Sequence, residues 1–154
     1  MTGAVLAGAL LVPQAAAMGI DGYKDKDKQK KCGKLSTSLA VVDFGTSFQG
    51  TEFRVTSDRE GEAFLNDDRN PGVWVDLDVV PGAPPCVVDT AVAVTEPGSG
   101  TNPPRTAQRL HVDLLTDTGI LYEAECRYDG TPFDASNLAA ACGAGFTPVP
   151  GTPV

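Results

Sequence analysis

A chain of 154 residues, 42% hydrophobic and carrying a net charge of −8, has room for one modest domain with a small core. The charge is divided rather than spread. All six lysines lie between Lys24 and Lys34, where three Asp accompany them in residues 21–34, while residues 35–154 set six arginines against 17 carboxylates. An acidic body repels phosphate backbones and anionic lipid, which argues against nucleic acid as the main partner.

Residues 1–17 read as a signal peptide. Ala4-Val-Leu-Ala-Gly-Ala-Leu-Leu-Val12 is an apolar run of the right length, and Pro13-Gln-Ala-Ala-Ala17 places small residues at the cleavage positions. The run is too short to span a bilayer, so no membrane insertion is expected. No Lys or Arg precedes it, so translation is expected to begin upstream of Met1. The competing reading is a buried apolar segment of the mature fold.

Residues 18–34 form a lysine-rich arm with one aromatic, Tyr23, and almost nothing to bury. Such a segment cannot offset its ordering entropy alone and is expected to be extended or disordered until something binds it. Lys24, Lys26, Lys28 and Lys30 have period two, so an extended chain presents them on one side, with Tyr23, Asp25, Asp27 and Gln29 on the other. Three readings stand: a solvated linker, a tether to membrane or nucleic acid weakened by the Asp interruptions, and a segment that docks on an acidic cleft of another protein. A trypsin-like pocket with a carboxylate at its base accepts a lysine in this way. On the docking reading Tyr23, Lys24, Lys26, Lys28, Lys30 and Lys31 are the contacts.

Residues 35–146 read as strands separated by Gly and Pro. Leu39–Phe44 is one. Thr51–Thr56 alternates, with Phe53 and Val55 inward. The span Glu60–Asn70 reads as a polar turn; as a calcium site it lacks the spacing that wraps a cation. Val73–Val79 reads as the clearest strand, with Val73, Val75, Leu77 and Val79 on one face and Trp74, Asp76 and Asp78 on the other.

An outward Trp between acids suits a partner anchor, unless a bulge or a second layer covers it. Val87–Thr95 follows, then the loop Glu96–Pro104. Arg109–Leu115, with Leu110, Val112 and Leu114 inward, and Ile120–Tyr128 form a hairpin whose Gly119 supplies a positive φ. One short helix is expected over Ala135–Cys142, capped by Asp134 and ended by Gly143. Residues 147–154 read as a flexible Pro-rich tail. The fold class is all-β, a small antiparallel β-sandwich.

Four widely spaced cysteines in an exported chain favour two disulfides. Three connectivities are open; Cys32–Cys86 with Cys126–Cys142 is favoured because the second closes a short loop around one turn of helix. With one histidine and no Cys-x-x-Cys, neither metal nor other cofactor is expected. His111 stands outward on a strand beside Asp113 and reads as a surface histidine rather than a catalytic base. The pairs Asp67/Asp68, Asp76/Asp78 and Glu123/Glu125 read as solvated faces rather than acid–base couples. No catalytic residue is assigned, and the chain is expected not to be an enzyme.

The leader, the lysine-bearing arm from Tyr23 to Lys34 and the small disulfide-linked β-domain resemble the small adaptor subunit of Streptomyces umbrella toxin particles. That resemblance, over roughly residues 18–145, implies a secreted, non-enzymatic adaptor in an extracellular toxin complex. It implies hetero-oligomerisation with larger secreted proteins: a toxin subunit and a lectin-type subunit with a degenerate trypsin-like domain, whose cleft takes the arm. The alternative is a secreted inhibitor of trypsin-like serine proteases, though an inhibitor needs one rigid loop and the arm offers many cleavable lysines. A carbohydrate-binding domain is a third reading, thinly supported by one Trp and three Tyr. Intact-mass measurement of exported protein is expected to place the mature N-terminus at Met18; retention of Met1 would contradict the leader.

Overall fold

The computed structural model describes residues 32–43, 48–96 and 108–153. The leader, the arm up to Lys31 and most of the Glu96–Pro104 loop lie outside them. Period-two alternation builds eight strands in two antiparallel sheets. The first holds β1 (Ser36–Val41), β2 (Glu52–Ser57), β3 (Ala63–Asp67) and β4 (Trp74–Asp76) in that spatial order. The second holds β5 (Val87–Thr95), β6 (Arg109–Thr116), β7 (Leu121–Arg127) and β8 (Thr147–Pro148), again in chain order.

The two sheets pack as the expected sandwich. Phe53, Val55, Leu65 and Val75 from the first meet Leu110, Val112, Leu114 and Ala124 from the second in one buried cluster. The sheets approach each other along β1 and β5. There Ser36 Oγ donates to Asp89, Lys34 N donates to the Val87 carbonyl at 3.4 Å, and Asp43 N donates to Glu96. Polar Ser36 and Ser38 on this seam explain why β1 begins three residues before the expected Leu39.

Both disulfides form in the favoured pairing, Cys32–Cys86 and Cys126–Cys142. The first ties the start of the domain to the start of β5. It closes over Gly61, where φ is +91° and a Cβ would stand 2.6 Å from the Cys86 Cα, so only glycine fits. The second holds α1 (Leu138–Ala141) against β7. The β6–β7 hairpin turns through Gly119 at φ 82°, as expected.

Four further elements differ from expectation. The Val73–Val79 strand stops at Asp76, whose carboxylate accepts from Asp78 N at 2.9 Å and starts a 3-10 turn over Leu77–Val79. Val75 and Leu77 stay buried, but Val73 and Val79 turn to solvent. The helix shrinks to four residues because Asp134 instead closes a turn, accepting from Ser136 N and Asn137 N at 2.7 and 3.1 Å. The tail begins with β8, which pairs with β7 through Glu123 and Tyr122.

The fourth of these is the largest. Glu60–Asn70, read as a polar turn, contains β3, and Asp67, read as solvated, points into the core with its side chain fully buried. Its carboxylate accepts from Arg69 Nε and Nη2 at 2.9 and 2.6 Å and from Phe133 N at 3.0 Å. The Arg69 guanidinium lies over the rings of Phe48 and Phe53, 5.4 and 5.6 Å from their centroids, and also donates to the Asp129 carbonyl. Removing one member of a buried pair strands the other, so Asp67→Ala is expected to cost about 3 kcal/mol in urea unfolding. A loss near zero would mean that Arg69 relaxes into water.

Candidate interaction surface

The outer face of the first sheet carries the clearest candidate. The registers Leu39↔Arg54, Arg54↔Asn66 and Asn66↔Trp74 set these four residues in one row across all four strands. At about 4.8 Å between strands the row runs about 14 Å. A second row, Thr37, Thr56, Phe64 and Asp76, lies beside it. Leu39 and Trp74, at the two ends, are 52% and 46% exposed, and Val41 is exposed next to Leu39.

Arg54 stands between them, paired with Glu52 and donating to Asn66 Oδ1 at 3.3 Å; Asn66 Nδ2 in turn donates to the Val73 carbonyl at 2.8 Å. The polar middle of the row is thus internally bonded, and the large apolar side chains at its ends are left facing out. Trp74 therefore stands where the alternation of the sequence places it. Its companions Leu39, Val41 and Phe64 come from strands 10 to 35 positions away, and only the strand register brings them together.

One end of this face is acidic and adjoins the root of the lysine arm. Asp58 Oδ1 accepts from Glu60 N, Gly61 N and Glu62 N at 2.9, 2.9 and 3.0 Å. Gly33 N donates to the Arg59 carbonyl at 3.2 Å, which sets Cys32 against this turn. Partial loss of hydration, reinforced by Asp58, Asp76, Asp78 and Glu60, raises the Glu62 carboxyl above its ordinary value. Burial and Asp76 raise Asp78 likewise. The proposed arm contacts Tyr23, Lys24, Lys26, Lys28, Lys30 and Lys31 lie outside the described residues.

The outer face of the second sheet is charged instead. His111 is half-buried, with Nε2 2.9 Å from Thr95 Oγ1 and Nδ1 3.0 Å from Glu123 Oε1. Glu125 Oε1 lies 3.9 Å from the same Nδ1, and Arg109 Nε lies 3.9 Å from Glu125 Oε2. The bonding order Thr95–His111–Glu123 is that of a nucleophile, a base and its orienting acid, but it lies flat on an open strand surface. A shallow groove of about 420 Å3, lined by Arg109, Glu123, Glu125, Arg127 and residues 141–145, runs alongside. The residues of the expected calcium alternative do not converge: Asp67, Asn66 and Asp68 each bond elsewhere, Asp68 accepting from Glu52 N at 3.0 Å.

Asp113, next on this face, has its carboxyl raised by burial and by Glu123, with His111 pulling the other way. A carboxyl raised on folding favours the native state most below its unfolded pKa, and that advantage is lost as pH rises through the folded value. Asp113→Asn is therefore expected to stabilise the protein at neutral pH, with the gain fading as the pH falls through the raised folded value and gone below about 4; denaturant titrations at pH 7 and pH 3.5 read it. A gain that is equal at both pH values would assign it to packing.

No family model, curated protein or solved structure matches this chain.

Proposed function

We propose that this protein is a secreted, non-enzymatic adaptor that holds one partner on the outer face of its first sheet and another through its lysine arm. The row from Leu39 to Trp74 carries this reading. Large aromatics dominate binding energy at interfaces, and an exposed Trp on a rigid sheet face that also presents Leu39 and Val41 is already ordered before it binds. A secreted location is supported by two formed disulfides and by the leader-like composition of residues 1–17.

The arm supports the second grip. Cys32, at the end of the arm, is fixed by its bond to Cys86 at the acidic end of the same face. The period-two spacing of the lysines suits an extended segment entering an acidic cleft such as that of a degenerate trypsin-like domain, as in an extracellular toxin complex. Protease inhibition is the competing reading, and it requires that an active enzyme be arrested rather than allowed to cleave.

The experiment compares the full chain, a chain lacking residues 18–31, and Trp74→Ala. Each is tested against a catalytically inactivated trypsin and against proteins co-purifying from the native culture supernatant. Removing the arm is expected to abolish binding to inactivated trypsin and to release one partner. Trp74→Ala is expected to weaken a different partner at least tenfold while leaving the trypsin contact. If both changes release the same partner, or neither releases any, the two-grip reading fails. Stoichiometric loss of activity in active trypsin would establish the inhibitor instead.

A further inference from the structure

We propose that His111, Glu123 and Glu125 form a site for a divalent first-row metal ion, zinc being the best fit. His111 on β6 faces Glu125 directly across the β6–β7 ladder, and Glu123 stands one residue pair along the same face. Their donor atoms, one imidazole nitrogen and two carboxylate oxygens, lie within 4.8 Å of one another. Ligands held 2.0–2.2 Å from a tetrahedral zinc stand about 3.4 Å apart. The Nδ1 separations of 3.0 Å to Glu123 and 3.9 Å to Glu125 bracket that spacing, so closure needs only small side-chain movements.

The surroundings supply what a bare cluster of acids lacks. His111 Nε2 is bonded to Thr95 Oγ1 at 2.9 Å. Without metal, Nδ1 donates its proton to Glu123 and Nε2 accepts from the Thr95 hydroxyl. A metal ion displaces the Nδ1 proton, and the neutral ring, its remaining proton on Nε2 and donated to Thr95 Oγ1, then offers the Nδ1 lone pair beside the two carboxylates. Orientation of a ligating histidine by a hydrogen bond from its other nitrogen is the usual companion of a protein metal site. Arg109 holds the far oxygen of Glu125 and leaves Oε1 facing the ring.

Glu123 and Glu125 line an open groove, and three protein ligands leave the remaining coordination positions to water or to a donor brought by a partner. The nitrogen ligand selects against calcium and magnesium, which prefer all-oxygen shells. The site rests on residues other than the Trp74 face or the arm, so it stands or falls independently of the adaptor reading.

The full, oxidised chain is titrated with zinc chloride by calorimetry, and in parallel the imidazole resonances are followed by NMR; His111 is the only histidine, so one ring reports the site. One zinc per chain is expected, with the His111 ring signals shifting in step. Glu125→Gln, at an exposed position that leaves the core untouched, is expected to weaken binding at least tenfold. Thr95→Val, which keeps every ligand but frees the ring, is expected to weaken it about tenfold. Zinc binding that leaves the His111 resonances unmoved, or that survives Glu125→Gln unchanged, would overturn the site, as would the absence of binding at millimolar zinc. Calcium chloride in place of zinc is expected to leave the ring signals where they are.

Discussion

The Asp67–Arg69 pair is buried where β-sandwiches normally place hydrocarbon, and much of the tertiary arrangement is organised around it. Two charges out of water are costly, and they are tolerated only when every remaining hydrogen-bonding position is filled. Here the backbone fills them. Phe133 N closes the Asp67 carboxylate and the Asp129 carbonyl closes Arg69, so the segment after β7 is fixed to the end of β3. That fixture sets Phe133 and Tyr128 against Phe53, with ring centroids 5.8 and 5.3 Å apart, and starts the short stretch that leads into α1. Among the described residues the buried Tyr128 hydroxyl has no partner, and burial, with Glu96 nearby, pushes its pKa up. A hydrophobic replacement for the ion pair could match its stability, but it would not dictate which loop docks where.

Around this interior the two sheets expose different chemistries. The first sheet turns outward Leu39, Val41, Phe64 and Trp74 around a single neutralised arginine. The second turns outward Arg109, His111, Asp113, Glu123, Glu125 and Arg127. The first suits a contact that excludes water, and the second suits one built on charge or on coordination. Cys32–Cys86 fixes the chain's entry at the acidic end of the apolar face.

Much of the sandwich was legible in the residue pattern. β5, β6, the Gly119 hairpin, the presence of two disulfides and the inward sets of β2 and β6 follow from alternation, turn chemistry and cysteine number, while cysteine spacing favours the observed pairing without fixing it. The failures share a cause. Acids read as solvent-facing, yet Asp67 is answered by an arginine two residues on, and Asp76 spends its carboxylate capping a turn. Local pattern cannot distinguish a carboxylate facing water from one facing a buried cation or a backbone N–H. The candidate surfaces were only half legible. Trp74 and His111 stood out singly, but Leu39 beside Arg54, and Glu125 opposite His111, depend on register between strands, which no short window of sequence contains.

The free edges of the two sheets bear on how the molecule can assemble. With β1 and β5 set against each other, the outer edges are β4 and β8, three and two residues long. Edges so short offer few unpaired amide and carbonyl groups to an incoming strand, and Pro148 removes one donor from the shorter of them. Strand addition, which can repeat from molecule to molecule into a fibre, is thus closed off at both ends. A contact made through a sheet face, by contrast, is complete once a single partner covers it. A protein that keeps a tryptophan and two aliphatic side chains in water can then remain dispersed.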